Sequence, residues 1–83
     1  MPIKKGYILK QIGNNYIILS NDNYSFSYRI DQSGAEIFQE LEQGHRPEDI
    51  AYRMAKQFRM REDSLLRDIN EFIDELKNKG IYE

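Results

Sequence analysis

Few residues in this sequence have the chemistry that catalysis needs, and their spacing does not favour it. The chain contains no cysteine and one histidine, His45, in a Gly-His-Arg-Pro segment typical of a solvated turn. Nucleophilic catalysis needs a Ser, Thr or Cys beside a base that a third group orients. A single histidine without cysteine also argues against a zinc site. We therefore expect no catalytic residue, no metal and no cofactor.

Carboxylates occur close together, but in a segment dense with charge. The three closely spaced sets are Glu62 and Asp63, Asp68 and Glu71, and Asp74 and Glu75. General acid or base catalysis needs burial that shifts a carboxyl pKa, and nothing in this segment predicts such burial. We interpret these side chains as the solvated face of a helix with local ion pairs.

The elements that position these residues must fit into one small domain. The chain has 83 residues, of which 40% are hydrophobic and 31% charged, with a formal net charge of −2. A chain of this length buries only about 60 to 65% of its unfolded surface, which leaves few apolar residues to line a deep pocket. It has no apolar run near the ~20 residues that cross a bilayer, and no signal-peptide pattern. We expect a cytoplasmic protein without membrane contact.

Strand patterns fill the first third of the chain. Residues 7–12 and 16–19 are rich in β-formers and flank a Gly-Asn-Asn cluster that begins at Gly13, which predicts a hairpin. Residues 24–30 then alternate strictly, with Tyr24, Phe26, Tyr28 and Ile30 on one face. The strands are expected between about residues 7 and 30, with the third at the side of a small antiparallel sheet.

Helix patterns fill the rest of the chain, over about residues 33–43, 47–58 and 62–79. Ser33 and Glu36 have the spacing of a capping box that begins the first helix. Pro47 is typical of a first helical position. The third helix carries an apolar stripe at three-to-four spacing, made of Leu65, Leu66, Ile69, Phe72, Ile73 and Leu76. The predicted fold is α+β, a small winged-helix-like domain with a three-stranded antiparallel sheet followed by three helices.

A strand at a sheet edge offers unpaired backbone groups to which an extended peptide can add as a further strand. Aromatic residues of the third strand, facing the third helix, are candidates to line a groove. The helix residues assigned to that groove are Leu66, Ile69, Asn70 and Ile73. A core role is favoured for Ile30, Phe72 and Leu76, whereas both roles stay open for Phe26, Tyr28, Ile69 and Ile73.

Three segments carry a resemblance to a known family: IKKGYIL at residues 3–9, YRIDQSGAEIFQEL at residues 28–41 and DINEFIDELKNKGI at residues 68–81. Together they resemble the PqqD-like family. Its members, the RiPP recognition elements, are winged-helix-like domains that bind the leader of a ribosomally made precursor peptide and present it to modifying enzymes in natural product biosynthesis. The sequence departs from the family at Arg46, where a capping Ser or Thr is usual.

The resemblance implies a non-enzyme whose partners are a precursor leader peptide and a modifying enzyme, such as a radical-SAM enzyme or a lasso-type leader protease. The leader would add beside the third strand, in the groove with the third helix. Arg29 and Arg67 would contact acidic leader residues. The implied peptide-binding residues are Tyr24, Ser25, Phe26, Ser27, Tyr28, Arg29, Ile30, Leu66, Arg67, Ile69, Asn70 and Ile73.

Two other functions remain as alternatives. A winged-helix DNA-binding regulator would use the basic stretch Arg46, Arg53, Lys56, Arg59 and Arg61. Against it, the third helix has an excess of acidic residues and the sequence pI of about 5.4 is low for a nucleic-acid binder, so we expect no nucleic-acid partner. A structural subunit that pairs strand edges would form a dimer. For the peptide-binding protein we expect a monomer or weak dimer.

Overall fold

Strands precede helices along the chain. The computed structural model describes residues 3–20 and 27–83, and in these residues an antiparallel sheet of three strands is followed by three helices. The predicted α+β fold is therefore confirmed. The elements are β1 (Tyr7–Ile12), β2 (Asn15–Ser20), β3 (Ser27–Ile30), α1 (Gln32–Glu42), α2 (Pro47–Phe58) and α3 (Glu62–Asn78).

The sheet has the order β1-β2-β3, so β3 lies at one edge. The predicted hairpin is present: β1 and β2 pair with Ile12 opposite Asn15, and Gly13 in the two-residue turn has φ of 62°. A positive φ at the first turn position is what a type II′ hairpin turn requires, and glycine adopts it without strain. The predicted beginning of the third strand, residues 24–26, lies outside the described residues.

The hairpin register determines which backbone groups of β3 face the open edge. A two-residue turn is closed by a hydrogen-bonded pair, here Ile12–Asn15, and bonded and non-bonded pairs alternate along antiparallel strands. By this alternation the backbone N–H and C=O groups of Ile18 point toward β3, where they bond with those of Tyr28. Ser27 and Arg29 are the intervening residues, so their N–H and C=O groups point away from β2 toward the open edge.

The predicted capping box at α1 is wrong. Asp31 is the N-cap, with an extended backbone at φ −84° and ψ 178°, and its Oδ1 accepts a hydrogen bond of 2.7 Å from the Gly34 N–H. Ser33 lies inside the first turn. Both Asp and Ser cap helices well, but β3 ends at Ile30 and the helix begins at once, so Asp31 occupies the capping position.

The other helix ends follow the sequence more closely. α2 begins at Pro47 after Arg46, whose side chain makes no capping hydrogen bond. α2 ends at Phe58, and the C-cap residue Arg59 adopts a left-handed conformation with φ of 54°. α3 ends at Asn78, and the Ile81 N–H donates to the Leu76 carbonyl over 2.8 Å, the long-range bond of a Schellman motif.

The core lies between the inner face of the sheet and the three helices. Its fully buried large side chains are Phe38, Ile18, Leu41, Ile50, Ile69, Leu76 and Ile81. The predicted stripe of α3 is buried at Leu65, Ile69, Ile73 and Leu76. Phe72, for which a core role was favoured, is only half-buried and packs at the edge of the core.

The two ends of the described chain pair with each other. Ile3 forms an antiparallel bridge with Tyr82, and the Lys4 N–H donates to the Ile81 carbonyl over 2.7 Å. Ile3 and Ile81 are both buried, so this bridge holds two side chains of the core in place. Among the helices of the described residues, none combines the length and the apolar character needed to cross a membrane.

Candidate functional site

The open edge of β3 and one flank of α3 form the two walls of a cleft. Tyr28, Arg29 and Ile30 line it from the strand, and Phe72 and Glu75 line it from the helix, around a cavity of about 250 Å³. The cleft continues past Tyr28 and Glu75 toward Asn78 and Lys79. In the opposite direction it continues between α1 and α3, where Ser33, Ile37, Asp68 and Glu71 line it.

Gly34 allows α1 to approach the cleft closely. A Cβ atom at this position would lie 3.3 Å from the Ile30 Cβ and 3.6 Å from the Phe72 Cε1, and 3.2 Å from the Asp31 Oδ1 that caps the helix. The distances to Ile30 and Asp31 are tight for a carbon atom, whereas the distance to Phe72 is an ordinary van der Waals contact. The glycine therefore lets the first turn of α1 approach the end of β3, and the Phe72 ring lies beside this contact and forms the apolar floor of the cleft.

Tyr28 spans the cleft from β3 to α3. Its hydroxyl donates a hydrogen bond of 2.6 Å to Glu75 Oε2, and the Lys79 ammonium lies 4.5 Å from the centre of its ring. Burial is the largest cause that raises the pKa of the Tyr28 hydroxyl, and together with the hydrogen bond to Glu75 and the negative charge of Glu75 it brings this pKa to about 12. Tyr28 is thus held neutral as a hydrogen-bond donor.

The α3 residues of the cleft differ from those assigned by sequence. The cleft is lined by Asp68, Phe72 and Glu75 of α3 and by Lys79 at its C-cap, which follow one another at spacings of three or four along one flank. At about 100° per residue, Leu66, Asn70 and Ile73 lie on the opposite flank of the buried stripe, and Arg67 points away from it. The cleft beside the described part of β3, Ser27–Ile30, is lined by residues other than these four.

The remaining predicted residues divide into edge, core and undescribed positions. Ser27 and Arg29 are exposed at the open edge, Tyr28 is half-buried and Ile30 is buried. Ile69 has no exposed surface and Ile73 is 5% exposed, so both belong to the core that supports the cleft. Tyr24, Ser25 and Phe26 lie outside the described residues.

Sequence reasoning missed Phe72, Glu75 and Lys79 as cleft residues. The spacing from Asp68 to Lys79 marks one flank of the helix, but it does not say which flank faces β3. The cleft has a mixed chemistry: an apolar floor at Phe72 and carboxylates at Asp31, Asp68, Glu71 and Glu75. Such a surface suits an extended polypeptide with polar and apolar side chains on alternate sides.

His45 has a structural role beyond that of a solvated turn residue. Its Nδ1 lies 2.8 Å from Glu40 Oε1, and the Arg53 guanidinium contacts both side chains. This cluster joins the end of α1 to α2. Within the described part of the chain, no three side chains of the metal-binding types are grouped so that they could hold a metal ion.

The sequence and the fold both match known proteins. The family model described as coenzyme PQQ synthesis protein D (PqqD) matches residues 15–81, which is more than half of the chain. No curated protein sequence matches the chain.

Two solved structures share the fold over nearly their whole length. TbiB1 in complex with the TbiA(beta) leader peptide is 25% identical, with a TM-score of 0.84, covering 100% of this chain and 95% of that chain. Lasso peptide synthetase B1 complexed with the leader peptide is 21% identical, also with a TM-score of 0.84, covering 98% of this chain and 94% of that chain. Both neighbours were solved with a leader peptide bound.

Proposed function

Because the chain belongs to the PqqD family, we propose that it binds the leader segment of a ribosomally synthesised precursor peptide and presents it to modifying enzymes. The observation that carries this proposal is the open edge of β3, whose outward backbone groups lie beside a cleft with an apolar floor. The two structural neighbours that hold leader peptides support it. No observation favours the DNA-binding alternative.

The leader would add to the sheet as a fourth strand. Its backbone would exchange hydrogen bonds with the N–H and C=O groups of Ser27 and Arg29, which supply affinity without sequence preference. Alternate side chains of an added strand point to the same face of the sheet, here toward α3. Those side chains would pack on Phe72 and beside Tyr28, and this packing would select the leader.

Charge in the cleft would set the register of the leader. Arg29 is the exposed basic group of the strand and is suited to an acidic leader residue, whereas Arg67 points away from the cleft. The carboxylates of Asp68, Glu71 and Glu75 would disfavour acidic leader residues along α3. We expect these exposed charges to affect association rate and salt dependence more than final affinity.

On this proposal the protein has no turnover of its own. It acts in the cytoplasm, where precursor peptides are made, and it raises the effective concentration of the precursor at a partner enzyme. The partner would be a peptide-modifying enzyme, for example a radical-SAM enzyme or a lasso-type leader protease. Residues 1–83 would serve as a single peptide-binding domain.

The test is an amide NMR titration of the labelled protein with the leader of a precursor encoded beside its gene. We expect shift changes at Ser27 and Arg29 and on the Phe72 and Glu75 flank of α3. A leader of the same composition in scrambled order is the control. Absence of binding by the authentic leader to a folded sample would contradict the proposal, and so would shifts confined to the opposite flank at Leu66 and Asn70.

A further inference from the structure

A second surface with the character of a binding site lies on α2 and the link that follows it. We call Tyr52, Lys56, Phe58, Arg59 and Met60 the α2 surface. Among the described residues four large hydrophobic side chains are strongly exposed, and three of them are here: Tyr52 at 50%, Phe58 at 46% and Met60 at 50%. Phe58 and Met60 line one recess, whereas Tyr52 lies about 120° around α2 from Phe58. Adjoining exposed apolar side chains such as Phe58 and Met60 mark an interaction site.

The α2 surface also contains a recess. Met54, Phe58, Met60 and Leu65 line a cavity of about 270 Å³ together with residues of α1 and α3. The aromatic, methionine and arginine side chains around it are the types enriched at the centres of protein interfaces. A partner side chain inserted there would contact an apolar wall and remove Phe58 and Met60 from water.

Charge identifies the kind of partner. Residues 50–61 contain four basic side chains, Arg53, Lys56, Arg59 and Arg61, and no acidic one, in a chain whose net charge is −2. Arg53 is engaged with Glu40 and Arg61 with Asp63, whereas Arg59 makes no ion pair within the described residues. The Lys56 ammonium lies 4.3 Å from the Tyr52 ring centre, at the side of the same surface. The recess itself is lined by one carboxylate, Asp68. The basic groups of residues 50–61 therefore favour acidic partner residues around the recess and not inside it.

The α2 surface adjoins one end of the cleft between β3 and α3, which we call the leader cleft. Ser33, Ile37 and Asp68 line both the recess and the part of the cleft between α1 and α3. A protein docked on the α2 surface would therefore stand beside one end of the bound leader. This position suits the enzyme that receives the leader, since its active site must reach the peptide that continues from the cleft.

We propose that the α2 surface is the docking site for the modifying enzyme, and that the enzyme contributes an apolar side chain surrounded by acidic groups. This inference rests on the proposed function, because it assumes that the protein carries a leader. It goes beyond that function by assigning the enzyme and the leader to two different surfaces. A second copy of this chain, nucleic acid and the leader itself are the competing occupants.

The experiment measures two affinities on each variant of the full chain. The first is for the fluorescent leader, and the second is for the purified peptide-modifying enzyme encoded beside the gene, with the leader at saturation. The apolar variant is Phe58→Ser with Met60→Ser, and the charge variant is Lys56→Glu. The matched controls are Ile12→Ser, which replaces the fourth exposed hydrophobic residue at 56% exposure, and Lys10→Glu, on the exposed part of β1.

We expect the apolar variant to weaken enzyme binding about tenfold or more, as loss of an interface centre does, while its leader affinity stays within about twofold. The charge variant should slow association and reduce its salt dependence. The controls should behave like the parent protein. Circular dichroism of every variant establishes that it is folded, and Lys56→Glu carries the test if Phe58→Ser unfolds the protein.

Several results would overturn the inference. Equal enzyme affinity in the parent protein and in folded variants would do so, and so would a loss of leader affinity equal to the loss of enzyme affinity, which would assign the α2 surface to the leader. Dimerisation that the apolar variant abolishes, measured by sedimentation, would assign it to a second copy. Tighter binding to a DNA duplex than to the enzyme would assign it to nucleic acid. If the leader does not bind the parent protein, the proposed function itself fails.

Discussion

The leader cleft and the α2 surface combine apolar groups with opposite charges. The cleft is bordered by Asp31, Asp68, Glu71 and Glu75, whereas the α2 surface carries Lys56 and Arg59 and has one carboxylate, Asp68, in the lining of its recess. α3 itself carries six acidic side chains and two basic ones, Arg67 and Lys77. The small net charge of the chain therefore hides two strong local fields. The low pI of the chain argues against binding of a polyanion such as DNA at α3. It does not reflect the excess of basic side chains in residues 50–61.

The two regions also differ in how their apolar residues are held. Phe72 in the cleft lies beside Gly34, packs against the core and is half-buried, whereas Phe58 and Met60 are about half exposed at the end of a helix. A cleft residue is thus part of the fold as well as of the site. A residue of the α2 surface can change with little effect on folding, so the two regions can be separated by mutation.

The largest effect is expected at a buried residue that underlies both the cleft and the recess of the α2 surface. Ile69 is fully buried beneath the cleft flank and also lines the recess of the α2 surface. Ile69→Asp should lower the free energy of unfolding by roughly 4 kcal/mol or more, because it removes core packing and buries a charge. Thermal unfolding followed by circular dichroism measures it. Asn70→Asp adds the same charge at an exposed site and should have little effect. A folded Ile69→Asp that fails only to bind leader would place Ile69 in the groove.

The second-largest effect is expected on leader binding at β3, in a variant that should leave binding at the α2 surface unchanged. Ser27→Pro removes an outward N–H of β3 and leaves the hydrogen bonds to β2 intact, as proline at a sheet edge allows. Leader affinity should fall by about tenfold, because one strand hydrogen bond and the close approach of the peptide are lost. Enzyme binding to the α2 surface should not change.

Gln11→Pro is the matched control for this variant. By the same alternation its N–H faces outward from β1, at the other edge of the sheet, so it removes an equivalent donor far from α3. Fluorescence anisotropy with a labelled leader compares the two variants. Equal affinity for Ser27→Pro and the parent protein would exclude strand addition at β3.

A smaller effect concerns the electrostatics of the cleft. The pKa of Tyr28 is raised to about 12 from 10.0. The protonated Tyr28 hydroxyl therefore stabilises the folded protein fully below about pH 10, and this stabilisation is lost as pH rises toward 12. Glu75→Gln should lower the pKa of Tyr28 only part of the way, because burial is the larger cause and remains. NMR titration of the tyrosine ring carbons measures this. Asp74→Asn, on an exposed neighbour, should leave the pKa unchanged.

The smallest effect tests the α2 surface through its backbone. Arg59 has φ of 54°, a conformation that costs a non-glycine residue roughly 1 kcal/mol. Arg59→Gly should therefore raise the free energy of unfolding by about 0.5 to 1 kcal/mol while slowing association with the enzyme, so stability and binding move in opposite directions. Urea unfolding and binding kinetics measure the two. Arg61→Gly, at a residue with φ of −73°, should give no gain in stability.

Local patterns were enough to predict the hairpin, the three helices and the buried stripe of α3. Hydrophobic periodicity reports which side of an element is buried, and Gly13 and Pro47 mark where elements begin and end. The N-cap of α1 could not be chosen in this way. Asp31 and Ser33 are equally good caps, and which of them becomes the N-cap depends on the residue at which β3 ends.

The cleft wall on α3 needed the tertiary arrangement. The sequence gives the centre of the stripe, at Ile69 and Leu76, but the two flanks beside it look alike in composition. Whether β3 faces the Phe72 flank or the Leu66 flank depends on how the helices pack on the sheet. Sequence reasoning selected this strand and this helix, and the cleft beside the described residues of β3 is lined by the Phe72 flank rather than the Leu66 flank.

The bridge between Ile3 and Tyr82 gives the chain a nearly circular path. The paired segments are antiparallel, so both ends leave the fold side by side and in the same direction. A short linker joining them would allow the chain to be opened at the Gly13 turn, giving a circular permutant with the same core and the same cleft. A domain fused to either end would likewise begin from one point on the surface, and the order of fusion would not alter its distance from the leader.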